Sequence, residues 1–378
     1  MSRYKMSDVA VEINERENSP ATSKYDRFVG LEHYVSGDVI IRNFGSTERL
    51  ESTMKVFQNG DVLVARRNVY LKRASMVDFD GLTSGDSIVL RAKDPVIGRI
   101  LPFVLNTDEF WDFADQYSDG TMSKRLSPKT LMKYEFDLPA EDELEAFADL
   151  LWAANDTKEA YQALLRQTDE LVKSQFIEMF GGNQFPMRRL AEVSSVTSGL
   201  TKNSKRSTMP LKMKYLRVAN VLFNELDLTD VQEIGVEERE VEKCLLIKND
   251  LLFVEGNGSP DQIGRVSLWD GSISPILHQN HLIKARFCDS VLPEYAMYYF
   301  MSDEGRKQIL LNASTTSGLY TLSTGKISAF ELPVPPLNLQ RKFLSLTQQT
   351  DKSKFELKKA IENTAALIKS LMQQDLSQ

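Results

Sequence analysis

Histidine and cysteine are scarce in this 378-residue chain, which carries 3 of the first and 2 of the second. Cys244 and Cys288 are too few for a disulfide framework, and their simplest reading is two core thiols in a reducing cytosol. No apolar run approaches the roughly eighteen residues that a membrane span needs. The segment after Met1 has no signal-peptide pattern, so the expected location is cytoplasmic. Catalytic and metal motifs are missing as well. "HQNH" sets His278 and His281 three apart with no acidic or thiol ligand close in sequence, which favours structural histidines. "STGKIS" (323–328) imitates a phosphate loop. However, Gly318 stands two residues too far from Gly325, and Ile327 follows Lys326 where Ser or Thr is needed. "EGNGSPDQIG" (255–264) is glycine-rich without GxGxxG spacing and reads as a tight loop. The chain has no Asn-Pro-Pro-aromatic motif of an amino-methyltransferase and no carboxylate cluster suited to a nuclease. It reads as non-catalytic, without a metal of its own.

What is present is a repeat. Sliding the chain by 196 lays "LSPKTLMKYEFDLP" (126–139) on "LSTGKISAFELPVP" (322–335) without a gap. The same shift lays "LVKSQF" (171–176) on "LIKSLM" (367–372), and a constant offset over about fifty residues marks an internal duplication. Upstream the offset drifts. "NGDVLV" (59–64) matches "KNDLLF" (248–253) at a shift of 189, and "RFVGLEHY" (27–34) matches "YLRVANVL" (215–222) at 188.

Each repeated segment reads as a long helix that opens after proline. In the first, Phe147, Leu150, Tyr161, Leu164 and Leu171 fall on one stripe, widened by Leu165 and Val172. In the second, the stripe runs through Phe343, Leu346, Leu357, Ile361, Leu367 and Leu371. Alternating steps of three and four mark a helix-pairing seam. Gly181-Gly182 closes the first helix. About forty residues at ~1.5 Å each give a rod of roughly 60 Å. Between the helices, "DVLVARRNVYL", "SIVLRA", "CLLIKNDLLFV" and "HLIKARF" are short β-rich runs, so the expected fold is α+β with two mixed α/β domains. The expected boundaries are 1–139 and 185–335 for the domains, and 140–184 and 336–378 for the helices.

The net charge of −7 argues against nucleic acid until it is divided by region. Residues 1–139 carry 19 basic and 21 acidic side chains, 140–184 carry 3 and 10, 185–335 carry 17 and 18, and 336–378 carry 7 and 4. The acidic excess therefore sits in the first helix and the second is basic, which favours pairing between them. Basic clusters occupy the domains. "ARRNVYLKR" supplies Arg66, Arg67, Lys72 and Arg73 around Tyr70. "SKRLSPKTLMK" supplies Lys124, Arg125, Lys129 and Lys133. From Val193 to Asn224 no acidic residue occurs among Lys202, Lys205, Arg206, Lys212, Lys214 and Arg217. Lys and Arg displace counterions from phosphates, and Arg can read base edges. The matching loop "ASTTSGLYT", with Thr315, Thr316 and Tyr320, is polar and uncharged and suits bases or sugars.

Two halves, each a variable domain followed by a long helix, resemble the specificity subunit of type I restriction-modification systems over nearly the whole chain. "FDLPAEDELEAF" and "FELPVPPLNLQRKF" resemble that family's proline-rich lead-in to its helices. "LVKSQFIEMFG" resembles the end of its central helix. "YLRVANV" and "NDLLFVEGNGSPDQIGR" resemble strands of its target-recognition domains. "AEDELEA" departs from the usual Pro-Pro-Leu and Gln. The resemblance implies two target-recognition domains, each reading one half of a split target in double-stranded DNA, joined by two antiparallel helices with a pseudo-twofold. It also implies two modification subunits docked on the assembly and restriction subunits beyond them. S-adenosylmethionine, ATP and Mg would then sit on those partners and not on this chain. Two other readings remain open. One is a specificity subunit whose partner fuses cleavage and methylation, and the other is a helical adaptor that binds no DNA.

Overall fold

A computed structural model describes residues 2–120, 123–182, 184–316 and 318–373, the side chain of Thr316 excepted. The chain forms two compact units, one of residues 1–164 with 357–378 and the other of residues 165–356. Each long helix therefore contributes one part to each unit.

In the first unit, strand Ser2–Lys5 pairs antiparallel with Glu135–Leu138, and the helix Met6–Val9 follows directly. A four-stranded antiparallel sheet has the order Ala10–Ile13, Ser87–Ala92, Val62–Ala65, Ala74–Met76. A five-stranded sheet carries one parallel pair, Arg27–Val29 beside Gly81–Thr83. The second unit repeats this plan. Met187–Arg189 pairs with Glu331–Pro333, the helix Leu190–Val193 follows, and the four-stranded sheet runs Ser194–Ser198, Leu282–Phe287, Leu251–Val254, Val266–Leu268. Its parallel pair is Lys212–Leu216 beside Leu277–His278.

The strand Val62–Ala65 is buried on both faces because its alternating side chains enter two different cores. Val62 and Val64 join one apolar cluster, while Leu63 and Ala65 join another. Leu251–Val254 behaves in the same way, with Leu251 and Phe253 on one side and Leu252 and Val254 on the other. Just before each strand stands a buried carboxylate held by a forked guanidinium. Arg91 donates to Asp61 at 2.7 and 2.8 Å, and Arg286 donates to Asp250 at 2.7 and 2.7 Å.

The repeated "LS" motifs also acquire a physical meaning. Ser127 caps the helix Pro128–Leu131 by accepting from the Thr130 N–H, and Ser323 caps Thr324–Ser328 by accepting from the Lys326 N–H. Leu126 and Leu131 are buried around the first cap, and Leu322 and Ile327 around the second, the apolar staple of a helix start.

Several expectations need correction. The run "DVLVARRNVYL" leaves the sheet after Ala65 and turns through a 3-10 segment, Val69–Leu71. Cys244 is buried, but Cys288 is exposed, with Sγ 3.1 Å from Ser290 Oγ. The match of 27–34 to 215–222 is out by one residue. Phe28 and Tyr215 hold the same place in the parallel pairs, opposite Leu82 and Leu277.

The long helices are Leu144–Phe180 and Leu337–Gln373. The 3-10 turn Glu141–Glu143 precedes the first, where the lead-in departs from Pro-Pro-Leu. Leu144 enters the apolar core there, whereas its repeat counterpart Gln340 is buried and fully bonded. Gln340 accepts from the Leu292 N–H and donates to the carbonyls of Ser290 and Pro335. The seam of the first helix lies one residue beyond the stripe read from the sequence. Leu150, Leu164 and Leu171 are 48%, 48% and 47% exposed, while Ala148, Leu151, Ala154, Val172, Phe176 and Phe180 are buried. Phe147 and Tyr161 are half-buried beside that seam. On the second helix Phe343 is buried and Leu346, Leu357, Ile361 and Leu371 are half-buried, but Leu367 is exposed and Ile368 joins the apolar cluster in its place.

Within the second unit the helices run antiparallel. Asp169 pairs with Lys354, whereas Phe176 and Phe180, further along the first helix, stack on Phe343, nearer the start of the second. In the first unit, Asn155 and Lys158 share a cleft of about 200 Å³ with Ala365, Ile368 and Met372. The acidic excess of the first helix is divided. Asp169 meets the second helix, but Asp149 meets Arg99 and Glu159 meets Arg42, both in the first domain.

Replacing Arg286 with Met leaves Asp250 buried without its cation, a change that costs about 3–5 kcal/mol. The same loss is expected for Arg91→Met, because the pair is duplicated. Chemical denaturation of each variant checks this, and a midpoint within error of wild type would show that the pairs do not hold the sheets.

Candidate nucleic-acid interface

Two basic clusters that lie far apart in the first half meet in space. The backbone of Arg67 bridges that of Arg125, the Asn68 N–H donates to the Lys124 carbonyl, and the Leu126 N–H donates to the Arg66 carbonyl. Asp86 sits between them. Its carboxylate lies 3.4 Å from Arg67 Nε and bonds the Arg125 guanidinium, while its backbone carbonyl accepts from the Arg66 N–H. Burial, then the nearby Arg125, pushes the Arg66 guanidinium down from its ordinary value. Its Nε donates to the Leu126 carbonyl at 3.2 Å, so Arg66 lies partly folded back on the fold.

The 3-10 turn Val69–Leu71 projects from this cluster. Asn68 and Lys72 flank it with φ of 53° and 47°, left-handed backbone that non-glycine residues seldom adopt. The turn leaves the Tyr70 ring 65% exposed. Lys72 bonds Asp108 at 2.8 Å, and Lys124 bonds Asp115 at 2.5 Å. Lys369 also bonds Asp108, and together these two lysines hold its carboxyl down at about 2.

Arg73 points inward. It donates to the carbonyls of Leu31 and Arg67, and Arg265 in the second unit donates in the same way to the Val218 carbonyl. Arg206 is also inward-facing, at 7% exposure. It donates to the carbonyls of Thr201 and Gly235 and forks onto Glu240 at 2.9 and 2.7 Å. A Cβ at Gly235 would lie 2.0 Å from the Arg206 carbonyl oxygen, so only glycine permits this approach. Neither guanidinium is presented to a ligand.

The lysines between residues 193 and 224 are on the surface. Lys202 and Lys205 are exposed on a loop, and Lys212 and Lys214 alternate along strand Lys212–Leu216 on its exposed side. Lys212 bonds the Ser207 carbonyl, Lys214 faces Glu233 across the ladder, and Arg217 bonds Asp230 at 2.6 Å. The polar loop forms a small three-stranded sheet in which Gly256–Asn257 pairs with Leu319–Thr321, which pairs with Ser314–Thr316. Thr315 is exposed opposite Tyr320, which is half-buried. The side chain of Thr316 lies outside the described residues. His278 is buried, and burial lowers it to about 4, while its Nδ1 contacts the Leu282 carbonyl at 2.8 Å. His281 is exposed, with Nδ1 2.7 Å from Glu255 Oε2. No group of three His, Cys, Asp or Glu able to hold a metal occurs among the described residues.

Residues 183–366 match the family described as the type I restriction modification DNA specificity domain. That match covers just under half of the chain and makes its second half similar to the DNA specificity domain of type I restriction-modification systems. Among curated relatives, the EcoKI specificity subunit of Escherichia coli K12 is 28% identical over 167 residues, which is 43% of this chain and 35% of that subunit. The StySPI specificity subunit of Salmonella potsdam is 24% identical over 165 residues, again 43% and 35%. The match thus spans about a third of the length of these curated relatives. Among solved structures, a chain from a type I restriction-modification assembly superposes with a TM-score of 0.58 at 16% identity, covering 99% of this chain and 96% of that one. The type I specificity subunit of M. genitalium gives 0.54 at 14% identity, covering 98% and 94%. Both share the fold of two β-rich domains with two long helices. Among the described residues of this chain, no helix is long and apolar enough to cross a membrane.

Asp86, Glu255 and His281 were not among the candidate DNA-binding residues read from the sequence. They are single ionisable residues in ordinary loops, and only the meeting of distant segments makes them neighbours of the basic and polar loops.

The Arg206–Glu240 bond yields a pH prediction. The Arg206 guanidinium holds the Glu240 carboxyl at about 2, below its ordinary 4.5. Its contribution is present above pH 4.5 and is lost as the pH falls through about 2. Glu240→Gln should therefore destabilise the chain near pH 7 by up to about 3 kcal/mol, since about 2.5 pKa units at ~1.4 kcal/mol each are reduced by solvent screening of a partly exposed carboxylate. Urea midpoints measured at several pH values check this, because the gap from wild type should narrow with acid. A gap independent of pH would refute the assignment.

Proposed function

We propose that this chain is the DNA sequence-specificity subunit of a type I restriction-modification complex, with residues 1–139 and 185–335 as its two target-recognition domains. The observation that carries the reading is one domain plan used twice, with its internal bonds preserved and its surface loops exchanged. Each domain reads one half of a split target in double-stranded DNA. Arg67, Tyr70, Lys124 and Arg125 contact DNA from the first domain, with Arg66 and Lys72 at the edge of the cluster. Lys202, Lys205, Lys212 and Lys214 contact it from the second, with Thr315, Thr316 and Tyr320 in the adjacent polar loop. Arg73 and Arg206 support these surfaces from within.

The two helices, 140–184 and 336–378 with their lead-ins, set the spacing between the half-sites and dock two modification subunits. Leu150, Leu171 and Ile177, exposed on the first helix, offer apolar side chains for that docking. Restriction subunits join through the modification subunits in the cytoplasm, and S-adenosylmethionine, ATP and Mg act on those partners.

Exchanging 185–335 for the corresponding domain of a relative, with the modification subunit co-expressed, should change one half of the methylated motif and leave the other intact. If both halves change together, or neither does, two independent readers are excluded. The phosphate contacts have a separate test. Replacing Lys202, Lys205 and Lys214 with Ala together should reduce the slope of log K against log salt by about 2–3, since each phosphate contact adds roughly 0.9. An unchanged slope in the assembled complex would place the phosphate-binding surface elsewhere.

A further inference from the structure

One backbone frame occurs in both domains around side chains of opposite chemistry. In the first, the Arg66 N–H donates to the Asp86 carbonyl and the Leu126 N–H to the Arg66 carbonyl, both at 2.9 Å. In the second, the Glu255 N–H donates to the His281 carbonyl at 2.9 Å and the Leu322 N–H to the Glu255 carbonyl at 2.8 Å. The neighbouring bonds agree. Ala65 donates to Arg73 as Val254 donates to Arg265, and Arg125 bridges Asp119 as Thr321 pairs with Ser314. Glu255 therefore stands where Arg66 stands, Gly256 where Arg67 stands, and His281 where Asp86 stands.

The charges are inverted. In the first domain the exposed guanidiniums of Arg67 and Arg125 surround one carboxylate. In the second, Gly256 and Thr321 bring no charge, and the half-buried Glu255 carboxylate lies beside the exposed His281 ring. A carboxylate repels phosphate, so the frame of the second domain is unsuited to the DNA backbone and suited to base edges. An ionised carboxylate only accepts hydrogen bonds, and a guanidinium only donates them. In the major groove, guanine offers the acceptors O6 and N7, while cytosine and adenine offer amino donors.

We propose that this shared frame is the base-reading position of both domains, where Glu255 selects an amino-bearing base, cytosine or adenine, and Arg67 selects guanine. His281 positions the Glu255 carboxylate. The inference rests on the DNA-reading function proposed above and assigns its chemistry.

The test is the genomic methylation motif written by the full chain co-expressed with its modification subunit. Glu255→Gln keeps the shape of the side chain but adds a donor, and Arg67→Ala removes one. With Glu255→Gln, a single cytosine or adenine position in one half should become degenerate, its discrimination falling about tenfold or more, while the other half stays fixed. Arg67→Ala should loosen a guanine in the opposite half. Because methylation at an intact half-site requires folded protein, the unchanged half reports on folding. An unaltered motif in the Glu255→Gln variant overturns the inference and leaves DNA reading standing. If the wild-type chain directs no two-part motif, the DNA-reading function falls and the inference falls with it.

Discussion

The buried pairing of Asp61 with Arg91, and of Asp250 with Arg286, is the constraint on which both domains depend. Each carboxylate stands at the start of a strand buried on both faces, and each arginine comes from the neighbouring strand of the same sheet. A strand whose residues enter two different cores gains little guidance from its own pattern, because every position is apolar. A slip of one residue would exchange the two sets of side chains between cores. The forked bond removes that freedom, since a slipped strand would bury Asp250 without its cation. Register then fixes where the chain leaves the sheet, which is at Arg66 in one domain and at Glu255 in the other. The position of the loops is thus set by a contact that no ligand touches.

The helices follow a different logic. Each is divided between two compact units, so its sequence must satisfy two neighbourhoods in succession. The start of the first helix buries Leu144, Ala148 and Leu151 in the core of one unit, and its end buries Val172, Phe176 and Phe180 in the core of the other. Between these stretches the buried positions are Ala154 and two polar residues, Asn155 and Lys158. That change of partner explains why a single apolar stripe read along the whole helix misses the seam. Leu150, Leu164 and Leu171 lie fourteen and seven residues apart and so share one heptad phase, yet all three are exposed. The smaller Ala148 and Ala154 face inward beside Leu151, where small side chains permit close approach. Charge behaved similarly. An acidic helix and a basic helix suggested pairing along their length, but Asp149 and Glu159 serve arginines of the first domain.

Much of the architecture was legible in the sequence for one reason, the duplication. The constant shift of 196 found the helix caps at Ser127 and Ser323, and the shift of 189 aligned Asp61 with Asp250 before either was known to be buried. The caps are local events in which neighbouring residues do the bonding, so they survive as recognisable strings, whereas each aspartate bonds an arginine thirty or more residues along the chain. The loops were less legible. Arg66 meets Leu126 and Arg67 meets Arg125 across about sixty residues, and no spacing announces such a meeting. The basic cluster around Arg206 misled for a related reason. An arginine that forks onto Glu240, thirty-four residues away, looks in the sequence just like one that faces solvent.

The duplication also separates scaffold from reader without recourse to any relative. When a side chain and its partner recur in both units, as Arg73 and Arg265 do on the first carbonyl of equivalent 3-10 turns, the bond belongs to the fold. When the backbone bonds recur but the side chains do not, the fold has no need of those side chains. Arg66 and Glu255 occupy one place with the same two backbone bonds and carry opposite charges. Asp86 and His281 stand at equivalent places beside them, each accepting one backbone bond through its carbonyl. A position that holds a cation in one unit and an anion in the other, while its backbone bonds stay fixed, does not need one particular charge in order to fold. What remains to specify the residue is whatever the surface meets, and two domains differing there in charge must meet different chemistry.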